Sequence, residues 1–288
     1  MIEFAASSHP GLQREINEDC FAADGKLNLW LVTDGVGGHA HGEVAAAIAR
    51  DTVVERFSQG MELTQCIVGA HEAVLREAAS RTVQRGMGTT VVAMSLREGR
   101  YDIAWVGDSR AYLWDGLDLS QITCDHSQVQ ALLSQGSISA AEARCHPERN
   151  VLTQSLGMSS RMQLQPERTQ GVLAAGQQII LCSDGLNDEL SGADIARQMR
   201  GQLTVQGQVD GLVNAALGAG GHDNITVIVV GSAAAAPSAG PAPEPDMETT
   251  QDIGLATGSS SDKRVDHSVK IWLIAGVLFT LIALFVWL

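Results

Sequence analysis

The chain has 288 residues, of which 45% are hydrophobic, and a formal net charge of −14 at pH 7. This length allows one large domain with a sizeable core, and the acidic balance argues against a nucleic-acid partner, whose phosphates require a basic protein surface. The five cysteines form no C-x-x-C pair, which argues against zinc and a disulfide framework and fits a reducing cytoplasm.

Short apolar runs predict strands, and longer runs with apolar side chains at spacings of three and four predict helices. Residues 1–5 carry no basic stretch followed by an apolar run, so we expect no secretory signal. The strands are predicted at 28–33, 89–96, 101–106, 111–114, 177–182 and 225–230. The helices are predicted at 42–57, 62–79 and 206–218. Interspersed strands and helices favour an α+β fold, in which helices cover antiparallel sheets.

Three tight turns are expected between strands. Residues 97–100 form a plausible hairpin loop. Asp24-Gly25 and Asp115-Gly116 are also interpreted as hairpin turns, because Asp-Gly is first of all a hairpin signal.

The composition changes sharply towards the C-terminal end. Residues 233–268 are rich in Ala, Pro, Ser and Gly and are expected to form a disordered linker, because they cannot build a core. Residues 269–288 are predicted to form a transmembrane helix, since they end in 18 uncharged residues with Trp272 and Trp287 at interfacial positions. A buried core helix or a dimerisation helix is the alternative. Basic residues before this segment predict a single-pass anchor in the inner (cytoplasmic) membrane, with residues 1–232 in the cytoplasm.

Four aspartates lie where apolar, strand-like runs end in turns: Asp19, Asp34, Asp184 and Asp223. Carboxylates that converge at the mouth of a core need protons or cations to neutralise them. Oxygen ligands select the hard cations Mg²⁺ and Mn²⁺ rather than zinc, and a centre of two such ions typically catalyses phosphoryl hydrolysis. For any single Asp-Gly pair, a turn without further role is the alternative.

These aspartates belong to an ordered series of short motifs. The series is Arg14-x-x-Asn17-Glu18-Asp19, Asp34-Gly35-x-Gly37-Gly38, Gly88-Thr89-Thr90, Gly107-Asp108-Ser109-Arg110, Asp125-His126-Ser127, Asn150 to Gly157, Ser183-Asp184-Gly185 and Gly221-His222-Asp223-Asn224. In order and spacing it resembles the metal-dependent protein phosphatases, the type-2C serine/threonine phosphatases, and in particular their compact bacterial members. The resemblance covers residues 1–232. It implies an antiparallel β-sandwich flanked by helices on both faces, with the metal ions in a cleft at one end.

The resemblance implies a role for each aspartate in binding two Mn²⁺ or Mg²⁺ ions. Asp34 would bridge both ions, and the backbone carbonyl of Gly35 would complete the coordination of one. Asp184 and Asp223 would hold the other ion, and Asp19 would act mainly through metal-bound waters.

Other residues are expected around the ions. Glu18 and Asn224 would lie just outside the ligands. Arg14 would grip the substrate phosphate with its planar fork of donors, and a plain surface arginine is the alternative. His39 is the candidate general acid. Animal relatives carry a histidine directly after Asp-Gly, where this chain has Val36, so a metal-bound water is the alternative acid.

The remaining motifs receive weaker interpretations. Asp125 matches a position that would bind a third, weaker ion together with Asp184, or it would cap the following helix. His222 is expected outside the ligands. Residues 88–90 and 108–110 are interpreted as structural. By resemblance, residues 127–157 form a mobile flap beside the active site, and such loops often set substrate choice.

The sequence therefore predicts a membrane-anchored enzyme that hydrolyses phosphoserine and phosphothreonine in proteins with a metal-activated water. Its partners would be phosphorylated proteins, a bacterial serine/threonine kinase that it opposes, and the lipid bilayer, with a monomeric catalytic domain and no nucleic acid. The alternatives are a catalytically inactive, membrane-bound interaction module and a regulatory phosphatase with one dedicated substrate. A metal-dependent nuclease would require a basic groove.

Overall fold

The computed structural model describes residues 2–36, 41–80, 87–158, 164–201 and 204–231. The predicted linker 233–268, the predicted transmembrane helix 269–288 and His39 lie outside these ranges. Among the described residues, no helix is both long enough and apolar enough to cross a bilayer.

Antiparallel strands form two sheets. In chain order the strands are β1 (Glu3–His9), β2 (Asp19–Asp24), β3 (Leu29–Val36), β4 (Gly88–Thr89), β5 (Val91–Arg97), β6 (Arg100–Val106), β7 (Arg110–Trp114), β8 (Leu119–Gln121), β9 (Glu167–Val172), β10 (Gln178–Cys182) and β11 (Ile225–Gly231). The first sheet has the order β1-β11-β10-β7-β8. The second has the order β2-β3-β5-β6-β9, and β4 pairs with β3 beside it.

Helices cover the outer faces of both sheets. They are α1 (Gly42–Ser58), α2 (Leu63–Ser80), α3 (Gln128–Ser134), α4 (Ala140–Arg144), α5 (Asp184–Glu189), α6 (Gly192–Gly201) and α7 (Val205–Ala219). Side chains of α1 and α2 pack on the β2–β9 sheet, and side chains of α5, α6 and α7 pack on the β1–β8 sheet. The short helices α3 and α4 lie within the predicted flap.

The alternation of side chains along each strand builds three apolar layers. On β3, Leu29 and Leu31 face the helices, while Trp30 and Val32 face the other sheet. On β11, Val227 and Val229 likewise face helices, and their neighbours face the opposite sheet. A layer of apolar side chains therefore separates helices from sheet, sheet from sheet, and sheet from helices. This confirms the predicted antiparallel sandwich with helices on both faces.

The local predictions agree with the structure in most places. Within the described residues each predicted strand and helix is present, and the turns at Asp24-Gly25, 97–100 and Asp115-Gly116 each join two paired strands. Two details differ. The strand predicted at 28–33 continues to Val36, so Asp34 lies inside β3 rather than after it. The strand predicted at 89–96 is interrupted at Thr90, between β4 and β5.

Candidate metal centre

The pairing of β2 with β3 places two of the four aspartates opposite each other. Asp19 is the first residue of β2, and the antiparallel register pairs it with Asp34. Like charges at directly opposed positions destabilise a sheet, and Asp19 is only 6% exposed. The strands can hold this pair only if protons or cations neutralise it.

One carboxylate oxygen of Asp19 accepts two hydrogen bonds, and the other has no partner among the described residues. Its Oδ2 accepts hydrogen bonds from the hydroxyls of Ser183 and Thr226, each at 2.7 Å. Its Oδ1 is buried and has no hydrogen-bond partner among the described residues. Burial raises the pKa of Asp19 to about 6, although the two hydroxyls favour its charged form. An orphaned, buried carboxylate oxygen is costly to leave unpaired, so it fits a site for a hard cation or for water bound to one.

The position of Asp34 is fixed through its own backbone. Its N–H donates to Thr90 Oγ1 at 3.1 Å, and its carbonyl accepts from Thr89 Oγ1 at 2.8 Å. Gly88 packs so closely that an added Cβ would lie 2.9 Å from the Leu156 carbonyl. The structural interpretation of residues 88–90 is therefore correct, and these residues support the central aspartate of the site.

Asp34 and Asp184 come together although they are far apart in sequence. Asp184 is the first residue of α5 and is separated from the end of β10 only by Ser183. Withdrawal from solvent raises the pKa of both carboxyls well above the usual range, and the negative charge of Asp184 raises that of Asp34 further. A hydrogen bond links the two side chains. Two carboxyls in contact share a proton or a cation.

Asp108 joins this pair, which the sequence did not predict. Its charge acts on both Asp34 and Asp184, and burial raises its own pKa to about 7. The motif Gly107-Asp108-Ser109-Arg110 was the available signal, but its aspartate was interpreted as part of a turn. The hydroxyl of Ser109 has the expected structural role, since it lies 2.7 Å from Thr90 Oγ1.

Asp125 is bound to an arginine in this structure. Arg110 Nε lies 2.9 and 3.0 Å from its two oxygens, and a second guanidinium nitrogen lies 2.6 Å from Oδ2. The alternative that Asp125 caps the following helix is wrong, because Ser127 caps α3 and accepts from the Gln130 N–H. A third ion at Asp125 remains a prediction, and binding there would compete with Arg110.

Arg14 lies at the fourth aspartate. Its guanidinium donates to Asp223 Oδ2 at 2.7 Å, and 52% of its side chain remains exposed. The charges of Asp223 and Glu18 both act on Arg14. The Glu18 carboxylate packs against Gly42 at the start of α1, where the helix dipole favours an anion. The arrangement leaves donors of a planar guanidinium free at the edge of the acidic cluster.

Asn224 connects the two loops that carry these residues. Its Oδ1 accepts from the Glu18 N–H at 2.8 Å, and its amide donates to the carbonyls of Pro10 and Ile16, each at 3.0 Å. These contacts hold the loop that carries Glu18, and the place of Asn224 just outside the metal ligands stays a prediction. The Nδ1 atom of His222 lies 2.6 Å from a carboxylate oxygen of Glu189.

The glycine after Asp34 is required by close packing. A Cβ on Gly35 would lie 2.4 Å from the backbone of Gly42, so the end of β3 and the start of α1 fit together only with glycine here. The Gly35 N–H donates to the Glu18 carbonyl at 3.2 Å. This contact connects β3 to the loop that contains Arg14.

The acidic side chains converge without forming a complete coordination sphere. Across the described ranges, no three His, Cys, Asp or Glu side chains form a group that could hold a metal ion as placed. Asp223 explains part of this, because one of its oxygens accepts from Arg14 and the other from the Asn224 N–H at 2.8 Å. The donor set consists of oxygens only and is strongly acidic, which fits Mn²⁺ or Mg²⁺.

An antiparallel sandwich between two helical layers, with acidic side chains gathered where the sheets meet, defines the class of metal-dependent protein phosphatases. Residues 13–218 match the family model described as protein phosphatase 2C. Over 240 residues the chain is 32% identical to the protein phosphatase PhpP of Streptococcus pneumoniae, an alignment that covers 80% of this chain and 97% of PhpP. The chain belongs to the protein phosphatase 2C family.

Solved structures agree with this assignment. The crystal structure of the Mycobacterium tuberculosis serine/threonine phosphatase PstP is 33% identical and gives a TM-score of 0.74, over 81% of this chain and 99% of that one. A structure of the PstP catalytic domain in complex with two manganese ions is 31% identical, with a TM-score of 0.71 over 80% and 97% of the two chains.

Proposed function

We propose that this chain is a Mn²⁺- or Mg²⁺-dependent phosphatase that hydrolyses phosphoserine and phosphothreonine in proteins. The observation that carries the proposal is the convergence of Asp19, Asp34 and Asp184, with a buried Asp19 oxygen that lacks a partner. Family membership and the activities in the names of the relatives support the same reaction.

The aspartates would hold the ions, as the donor chemistry of the site allows. Asp34 would bridge two ions, with the Gly35 carbonyl, Asp184, Asp223 and Asp19 around them. Once bound, the ions would supply positive charge for the phosphoryl oxygens and a water activated for attack. A third ion would be held by Asp184 and Asp125, and Asp108 is a further carboxylate whose charge acts on Asp184 and on which the charge of Asp125 acts.

The protein's own groups position the reactants. Ser183 and Thr226 fix one oxygen of Asp19 and leave the other directed to the site. Asp223 holds Arg14 at the edge of the cluster, where the remaining guanidinium donors can bind two oxygens of a phosphate. His39 remains the candidate for proton transfer to the leaving hydroxyl, with a metal-bound water as the alternative.

Hydrolysis of a phosphothreonine peptide by the full-length chain in detergent tests this function. We expect phosphate release with Mn²⁺ that is abolished by EDTA and by Asp34→Asn. The matched control is Asp210→Asn, which removes an exposed carboxylate on α7. A folded chain that binds Mn²⁺ but releases no phosphate from peptides or from p-nitrophenyl phosphate would contradict the proposal and favour an inactive interaction module.

We further propose that residues 269–288 anchor the enzyme in the inner membrane, with the linker 233–268 joining the anchor to a catalytic domain in the cytoplasm. Such a location would place the enzyme beside a membrane-bound serine/threonine kinase that it opposes. The support is the uncharged C-terminal run of the sequence. Cell fractionation tests it: the full chain should sediment with membranes, whereas residues 1–232 should remain in the supernatant. Equal distribution of the two would contradict an anchor.

A further inference from the structure

A cavity of about 540 Å³ lies between the predicted flap, residues 127–157, and the helices α5 and α6, which follow Ser183 in the chain. Residues of α3 and α4, including Arg144, line one wall, and residues of α5 and the start of α6 line the other. Asp188 belongs to the lining and lies four residues after Asp184 on α5. Residues at this spacing share one face of a helix, so the cavity begins beside the acidic cluster. Its volume is typical of ligand-binding clefts.

The acidic groups of the lining already have partners. Asp125 is paired with Arg110, Glu189 with His222, and Asp194 with Arg197 and with the Ser191 hydroxyl. Asp188 accepts from Asn150 at 3.4 Å, and the charge of Arg149 acts on it. These negative charges are therefore largely compensated within the cavity wall.

Arg144 differs from the acidic groups of the lining, and also from Arg149, whose charge acts on Asp188. It is an exposed residue in the last turn of α4, and it has neither an ion pair nor a side-chain hydrogen bond within the described part of the chain. The protein as a whole is strongly acidic, with a net charge of −14. A cation without a counter-ion at a cavity beside the catalytic centre is a recognition element for an anionic group, because complementary charges determine specificity.

We propose that this cavity binds the peptide segment next to the phosphorylated residue, and that Arg144 selects an acidic side chain there. This inference rests on the proposed function and names a substrate class for it: phosphoproteins with Asp or Glu near the phosphorylated residue. Arg144 acts as a specificity-determining residue on the flap, remote from the reacting phosphate.

The test is a comparison of phosphothreonine peptides that differ at one flanking position. Glu, Gln or Lys is placed in turn at each position near the phosphothreonine, and kcat/KM is measured with the full-length chain and Mn²⁺. At low salt, we expect the Glu peptide to exceed the Lys peptide by about two- to fivefold at one position, mainly through KM, as is typical for an exposed ion pair. Raising the salt concentration should reduce the ratio.

Charge reversal decides the role of Arg144. The variant Arg144→Glu should reverse the preference at that position, and Arg144→Ala should remove it. The matched control Arg76→Glu reverses an exposed arginine on α2 that does not line the cavity, and should keep the preference. Hydrolysis of p-nitrophenyl phosphate, which has no flanking residues, should be equal in all four proteins.

Two outcomes would overturn the inference. One is the absence of a Glu-over-Lys preference at every position in the unmodified chain, and the other is a preference that persists unchanged in Arg144→Glu. Loss of all hydrolysis, including that of p-nitrophenyl phosphate, would instead contradict the proposed function. In that case, fluorescence anisotropy with the same peptides, carrying a fluorescent label, tests peptide binding to the cavity separately from hydrolysis. The ratio of the affinities of the Glu and Lys peptides then gives the preference.

Discussion

At the scale of single residues, the ion pair of Arg14 with Asp223 joins the residue proposed to bind the substrate phosphate to a residue proposed to bind a metal ion. The aspartate fixes the guanidinium at 2.7 Å, while half of the arginine side chain stays accessible to a substrate. Arg14→Lys keeps the charge but removes the planar fork that matches two phosphate oxygens. We expect kcat/KM for a phosphothreonine peptide to fall by about 10- to 100-fold, the equivalent of one charged hydrogen bond.

Comparison of Arg14→Lys with Arg14→Ala separates the contribution of the guanidinium geometry to kcat/KM from that of the positive charge. Arg14→Ala should lower kcat/KM further than Arg14→Lys, and Arg76→Ala, an exposed arginine on α2, should leave it unchanged. Steady-state kinetics over a range of peptide concentrations provide the values. An Arg14→Lys variant as active as the unmodified chain would show that Arg14 acts only as a surface charge.

At the scale of secondary-structure elements, one buried histidine ties α2 to the end of the flap. His71 is 8% exposed, and its Nδ1 accepts the Gly157 N–H at 3.1 Å. Burial lowers the pKa of His71 below its usual 6.5. Between the folded and unfolded pKa values, the unfolded chain binds more protons. The stabilising contribution is therefore fully present above about pH 6.5 and is lost as the pH falls.

Two substitutions at position 71 isolate this contact. His71→Leu leaves the Gly157 N–H without its acceptor and should lower the free energy of unfolding by about 1–3 kcal/mol at pH 7.5. His71→Asn offers an amide oxygen that does not titrate. Urea unfolding should be measured from pH 7.5 to 5.5. As the pH falls, the difference in free energy of unfolding between the unmodified chain and His71→Leu should become smaller. The difference between His71→Asn and His71→Leu should not decrease in this way. An advantage that is constant over this range would contradict the assignment.

The elements that the sequence predicted are those with strong local patterns. β11 is apolar and β-branched throughout, and α2 carries its apolar residues on one face. The missed strands lack such a pattern. β9 is an edge strand of mostly polar residues, positioned by its pairing with β6 and by the ion pair between Arg168 and Asp102. Such non-local contacts cannot be identified from periodicity.

The same distinction applies to the site. The aspartates were predicted because their motifs have a recognisable order, and Asn224 belongs to the last of these motifs. Asp108 and the hydroxyl donor Ser183 were also present in those motifs, and the hydroxyl donor Thr226 lies two residues after the last of them. Their roles depend on where β2, β10 and β11 meet, which brings together residues more than 160 positions apart. That geometry is a property of the tertiary structure rather than of any one segment.

At the scale of the whole molecule, the acidic cluster makes stability depend on the bound ions. The folded protein raises the pKa of Asp19 to about 6 and that of Asp108 to about 7, from 3.8. Without metal, their ionisation therefore reduces stability as the pH rises through these values. We expect the protein in EDTA to unfold at a lower temperature at pH 8 than at pH 5, in differential scanning calorimetry.

Mn²⁺ should reverse this loss, because a ligand that binds only the folded state stabilises it. At 100 times its dissociation constant the gain is about 2.7 kcal/mol, or about 5–10 °C for a domain of this size. Asp34→Asn removes one of the charges that repel each other, so at pH 8 in EDTA it should unfold at or above the temperature of the unmodified chain. Because this variant lacks the carboxylate that we propose bridges the ions, Mn²⁺ should give it little further stabilisation. Asp210→Asn should respond to Mn²⁺ like the unmodified chain. An equal Mn²⁺-induced shift in Asp34→Asn and Asp210→Asn would place the ions elsewhere than between β2, β3 and α5.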